Sequence, residues 1–155
     1  MPTPESPATA PLAEHELAAW RGMLEVHAQV TRQLDAQMHA EHGLSITEYE
    51  VLMFLADAPG HRMRMSEIAQ GVPLSRSGCT RLVDRLVELG FVTRSAATTD
   101  GRGLYAELTD AGLTKIEAAR RTHREGIRRF FLEHVTSTDQ IVLADIWNRF
   151  QAQTS

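Results

Sequence analysis

LSRSGCTRLVDRLVELGFVTRSAATTDGRGLYAEL, residues 74–108, is the stretch that decides the fold. Its first half predicts a helix over 75–89. Cys79, Leu82, Val83 and Leu86 recur at i, i+3, i+4 and i+7, so they share one face. At about 100° per residue, Ser77, Arg81, Asp84, Arg85 and Glu88 fall on the opposite face, with Arg76 and Thr80 on the flanks. Gly90 is placed to stop the helix. Residues 91–94 then read as a strand, Asp100-Gly101 as a hairpin turn, and 104–108 as the returning strand.

Working outward, a short helix over 67–70 capped by Ser66 precedes this stretch, joined to it by the turn Gly71-Val72-Pro73-Leu74. Short helix, glycine-containing turn and longer helix with a polar start is the helix-turn-helix layout, and the hairpin after it makes a wing. Further upstream, residues 62–65 offer one short strand, and Thr47-Glu48-Tyr49-Glu50 reads as a capping box opening a helix that Pro59-Gly60 breaks. A long helix over 12–41 carries Leu17, Trp20, Leu24, His27, Thr31, Leu34 and Met38, spaced alternately by three and four. Such a seam exceeds what one small domain can cover and implies a partner subunit. On the other side, Thr109 opens a second long helix to about residue 134, and Ser137-Thr138-Asp139-Gln140 caps a last one. Four of the six prolines fall in residues 1–11, which read as a disordered tail.

The net charge of −4 is unevenly spread. Residues 1–60 hold two arginines against nine acids, whereas residues 61–102 hold seven arginines against four. Positive charge therefore gathers on the helix and hairpin, where a phosphate-facing surface needs it. A single cysteine excludes an internal disulfide. No apolar run reaches membrane length and no secretory leader is visible, so the expected location is the cytoplasm.

Arg76 and Arg81 are the candidate DNA-contacting cations, since a guanidinium can bond two acceptors on guanine or bridge phosphate oxygens. Ser75, Ser77 and Thr80 are short hydroxyls at a helix N-terminus, where free N–H groups also favour phosphate. Arg102 at the hairpin tip fits a narrow minor groove. Asp100 is placed to pair with Arg94 or Arg102 and brace the wing. A solvated face of capped serine and surface arginines is the alternative for the helix taken alone.

From Thr47 onward the chain resembles the MarR (multiple antibiotic resistance regulator) family. The resemblance rests on SEIAQGVPLSRSGCTRLVDRLVELGFVTR, on Asp100-Gly101-Arg102, and on Leu108-Thr109-Asp110-Ala111-Gly112. It implies a mainly α fold with a small β-hairpin wing, a winged helix-turn-helix dimerised through long N- and C-terminal helices. In that division 12–155 is one domain, with 12–42 and 109–153 for dimerisation and 47–108 as the DNA-binding lobe. It further implies a homodimeric repressor of a pseudo-palindromic double-stranded DNA operator, modulated by a small-molecule effector. Ser75, Arg76, Ser77, Thr80 and Arg81 would face the major groove, Arg102 would enter the minor groove, and Asp100 would brace the wing. Many relatives carry an arginine where Gly101 stands, so this tip is less basic.

The other functional readings are weaker. No phosphate-cradling glycine loop, His-Glu-x-x-His or nucleophile elbow appears, so no enzyme, cofactor or metal is expected. Cys79 lies on the apolar face and reads as a small core residue. His39, Glu41 and His42 read as a solvated helix end. Arg120, Arg121, Arg124, Arg128 and Arg129 read as a solvated face or as dimer salt bridges. Trp20, Met23 and His27 read as core before pocket. A ligand-independent regulator, or a winged-helix dimer that binds protein, are the alternative functions.

Overall fold

The computed structural model describes residues 10–96 and 103–152. The tail over residues 1–9 and the wing-tip residues Asp100, Gly101 and Arg102 lie outside the described residues.

Among the described residues, six α-helices and three strands follow in order: α1 (Glu14–His42), α2 (Ile46–Asp57), β1 (Arg62–Arg64), α3 (Met65–Gly71), α4 (Arg76–Glu88), β2 (Val92–Ala96), β3 (Leu104–Leu108), α5 (Asp110–Phe130) and α6 (Ser137–Ala152). The antiparallel sheet has the order β1-β3-β2. Arg64 faces Tyr105 across one ladder, and Ser95 faces Tyr105 across the other. The fold is the mainly helical winged helix expected from the sequence.

Helix starts explain most of the boundary differences. Ser45, not Thr47, caps α2: its hydroxyl accepts from the Glu48 N–H (3.1 Å), and the Glu48 carboxylate accepts from the Ser45 N–H (2.7 Å). Leu44 and Tyr49, flanking that box, are both buried, which fixes the entry of the chain. Ser66 does not cap α3. Glu67 instead accepts from the Arg64 N–H (2.8 Å), and the helix begins at Met65. At α6 the reciprocal pair is Thr136 and Asp139, one residue earlier than expected. Helix α5 ends at Phe130, because Phe131 leaves helical geometry (φ −129°, ψ −60°), and a 3-10 turn follows over Leu132–His134. Phe91 belongs to a turn, not to β2. Its N–H bonds the Leu86 carbonyl, and its own carbonyl accepts from Thr109.

The core lies where α2, α3, α4 and the sheet meet the first half of α5. Leu52, Leu55, Ile68, Val83, Leu86 and Ile116 are fully buried there. Helix α1 passes one buried residue, Met38, into this core. At about 1.5 Å per residue its 29 residues span about 44 Å. Its N-terminal part lies bare: Trp20 is 54% exposed, and Met23, Leu24 and Val26 are exposed too. The core reading of Trp20, Met23 and His27 is therefore corrected, because all three are exposed and no element among the described residues covers them. Helix α6 has no buried residue among those described, and Phe150 is 63% exposed.

Candidate nucleic-acid interface

Helix α4 seats on the core by Cys79, Val83 and Leu86. That orientation turns Ser75, Arg76, Ser77, Thr80 and Arg81 outward, all exposed. Ser75 is the N-cap: its hydroxyl accepts from the Gly78 N–H (3.1 Å) and lies 3.2 Å from the Ser77 hydroxyl. Thr80 donates its hydroxyl proton to the Arg76 carbonyl (3.0 Å). Within the folded helix its hydroxyl presents acceptor lone pairs.

The arginines sort into two groups. Arg85 pairs with Glu48 of α2 (2.6 Å), whose carboxylate is 8% exposed, and also reaches the Gly43 carbonyl (3.5 Å). Arg94 of β2 pairs with Asp84 of α4 (2.7 Å) and donates to the Thr80 carbonyl (3.2 Å). These two hold elements together. Arg76 and Arg81 have no carboxylate and no hydrogen-bond acceptor on their guanidinium groups among the described residues. Asp84, three residues from Arg81, is occupied by Arg94. The outer face of α4 thus keeps two uncommitted cations, and its apparent charge balance is resolved between elements.

The expected pairing of Asp100 with Arg94 or Arg102 lies outside the described residues. Among the described residues the partners of Arg94 are on α4, so the brace runs from the wing strand to the exposed helix. Sequence reading missed the Arg94–Asp84 pair and the Arg85–Glu48 pair, because the partners are 10 and 37 residues apart.

A cavity of about 280 Å³ opens between α3, α4 and the wing strands, lined in part by Ala69, Arg76, Cys79, Thr80 and Arg94. Burial pushes the Cys79 thiol up from its ordinary value, with Arg94 pulling weakly the other way. The thiolate is disfavoured, as for a core cysteine.

The histidines of α1 are not all a solvated helix end, which corrects that reading. Thr122 of α5, itself buried, donates to Glu41 (2.8 Å) and lies 2.8 Å from His42 Nε2. With its proton spent on Glu41, the Thr122 oxygen accepts from His42. Burial, then the charge of Lys115, holds His42 below its ordinary value. His123 stacks on Tyr49 at 4.6 Å and is likewise lowered by burial. In the basic stretch of α5, Arg120 pairs with Asp57 of α2 and with Glu117 (3.6 Å).

A capped helix with an outward polar N-terminal half, preceded by a short helix and followed by a braced two-stranded wing, defines a winged helix-turn-helix protein. A sequence model of the MarR family matches residues 42–103. The structure is similar to that of AbsC, a MarR family transcriptional regulator from Streptomyces coelicolor. The two share 31% identity at a TM-score of 0.85, over 94% of this chain and 98% of that one. It is similar also to Sco3205, a MarR family regulator of the same organism solved in complex with DNA, with 28% identity and a TM-score of 0.84 over 93% of this chain and 94% of that one. The HTH-type transcriptional repressor YetL of Bacillus subtilis is 37% identical over 78 residues, 50% of this chain and 47% of its own length. The chain spans about half the length of the curated relatives it matches first. The chain belongs to the MarR family of transcriptional regulators.

Proposed function

We propose that the chain is a homodimeric repressor that binds a pseudo-palindromic operator in double-stranded DNA. The observation that carries this is the pair Arg76 and Arg81, unpartnered among the described residues, on the exposed side of a helix where Arg85 and the neighbouring Arg94 are engaged. An N-capped helix of this kind offers N–H and hydroxyl O–H groups to phosphate and guanidinium forks to guanine. Sco3205 and its DNA support the reading from outside the chain. In it, residues 47–108 form the DNA-binding lobe, while 12–42 and 109–153 form the dimer.

The dimer is supported by the bare apolar residues of α1 and α6. Trp20, Leu24, Ile141 and Val142 are exposed with no cover among the described residues, and exposed patches of this type mark interfaces. Two lobes related by a twofold axis would address half-sites about 34 Å apart. Arg102, at the tip of the wing, enters the minor groove in this reading, and Asp100 shapes that tip. The repressor works in the cytoplasm, where its operator lies. A small ligand in the cavity beside α4 would displace Arg76 or Arg94 and so retune the helix.

Footprinting on the chain's own promoter region tests the reading, together with Arg81→Ala. The variant is expected to lose about 1–3 kcal/mol on the protected site and to relax base preference at one position. No protected site with the native protein would overturn the reading. An equal loss on every sequence would show Arg81 to be a phosphate contact and not a base reader.

A further inference from the structure

The outer face of the wing sheet carries a cluster that the recognition helix does not use. Side chains alternate along a strand, so Arg62 and Arg64 of β1 share one face. The register sets Glu107 opposite Arg62 and Tyr105 opposite Arg64, with Thr93 and Ser95 of β2 across from the same two β3 residues. These six face away from Val92, Ala106 and Leu108, which are buried.

Tyr105 is fixed on this face, since Arg64 Nε donates to its hydroxyl oxygen (3.2 Å). The Arg62 guanidinium lies 4.1 Å from the Tyr105 ring centroid. Stacking engages the plane of a guanidinium and leaves its N–H edges available. Among the described residues those edges meet no acceptor. Glu107 stands across the ladder without forming an ion pair with Arg62. Arg62 is therefore an exposed cation whose orientation is already set by an aromatic platform, so little further side-chain entropy is lost when it binds an anion.

Its place in the fold says which anion. β2 is the strand tied to α4 by Arg94, β3 is central, and β1 lies beyond it. Two strand spacings put β1 about 10 Å outboard of β2. The row Arg64-Tyr105-Ser95 is one residue pair from the point where the hairpin leaves for its tip. A tip inserted in a minor groove about 6 Å wide places β1 over the sugar-phosphate strand on the far side of that groove. We propose that Arg62, stacked on Tyr105, is a phosphate clamp that extends the DNA footprint outward beyond the wing. This rests on the DNA-binding reading above. The contact is to backbone, so it adds affinity and register without base preference.

The test uses the full chain and duplexes carrying the protected site, either with long flanks or trimmed just outside the wing contact. Binding is measured from about 50 to 200 mM salt for the native protein, Arg62→Gln, Glu107→Gln and Arg81→Ala. Losing one phosphate contact per protomer lowers the salt slope by about two for the dimer, so the native advantage over Arg62→Gln shrinks roughly tenfold across that range. Arg62→Gln is also expected to lose the same factor on specific and unrelated duplexes and to stop responding to the trimmed flank. Glu107→Gln, which removes the carboxylate across the ladder from Arg62, is expected to bind more tightly at low salt. A native salt slope and native flank dependence in Arg62→Gln, with Arg81→Ala impaired, would overturn the clamp and leave the DNA reading standing. Failure of the native protein to bind any duplex would overturn both.

Discussion

Replacing Arg94 by alanine should uncouple the wing strand from α4. Arg94 makes two contacts to α4, an ion pair with Asp84 at 2.7 Å and a hydrogen bond to the Thr80 carbonyl at 3.2 Å. The Arg94 side chain is 26% exposed and Asp84 48%, so water screens the pair and it is worth about 0.5–1 kcal/mol. The bond to the carbonyl is charge-assisted and adds about 1 kcal/mol. Arg94→Ala is therefore expected to cost about 1.5–2 kcal/mol, and Asp84→Ala about 0.5–1 kcal/mol. In the double variant the pair is lost only once, so the coupling energy should be about 0.5–1 kcal/mol. Urea denaturation of the four proteins at one protein concentration measures it, since the proposed dimer would make stability depend on concentration. A coupling of zero, with both single variants destabilised, would refute the assignment of Asp84 as Arg94's partner. It would return Asp84 to Arg81 as a neutralising neighbour and so weaken the case for the exposed face of α4.

Two further predictions concern the frame. Gly112 permits the close approach of α5 to the turn after α4: a Cβ there would lie 2.2 Å from the Phe91 carbonyl oxygen and 2.7 Å from Leu108 Cδ1. That carbonyl is held by Thr109, so Gly112→Ala should cost about 3 kcal/mol. Gly126→Ala should cost less, because its Cβ would meet the ends of two side chains, Gln37 and Leu34. Equal midpoint shifts in thermal unfolding would contradict that distinction. The second concerns pH. His42 and His123 are both held below the ordinary histidine value by burial, so between their folded values and about 6.5 the unfolded chain binds more protons. Their neutral forms support the fold fully above about pH 6.5, and that support is lost as pH falls through this window. The unfolding midpoint is expected to drop from pH 7.5 to 5.5, and His123→Gln to flatten the drop. An unchanged slope in that variant would show that His123 does not titrate with unfolding.

Much of the architecture was legible because its signals are local. The apolar period of α4, the cap at Ser75, the stop at Gly90 and the bounds of β3 all depend on neighbours within a turn or a ladder. Where two local signals overlapped, the sequence could not choose. Ser45-x-x-Glu48 and Thr47-x-x-Glu50 are both capping boxes, as are Thr136-x-x-Asp139 and Ser137-x-x-Gln140. At α2 the choice falls to tertiary contacts, since Leu44 is buried beside the first box and Glu48 is captured by Arg85.

The candidate site divides in the same way. By itself the sequence determined that residues 75–81 form a polar helix start, that arginines concentrate there, and that a hairpin follows. It could not say which arginines were available, because a charge is committed by whatever lies within about 4 Å in space and not along the chain. The tertiary structure decided that Arg85 and Arg94 serve the fold, that Arg76 and Arg81 face outward without a partner among the described residues, and that Arg62, unremarked in the sequence, is held on Tyr105 at the far edge of the wing.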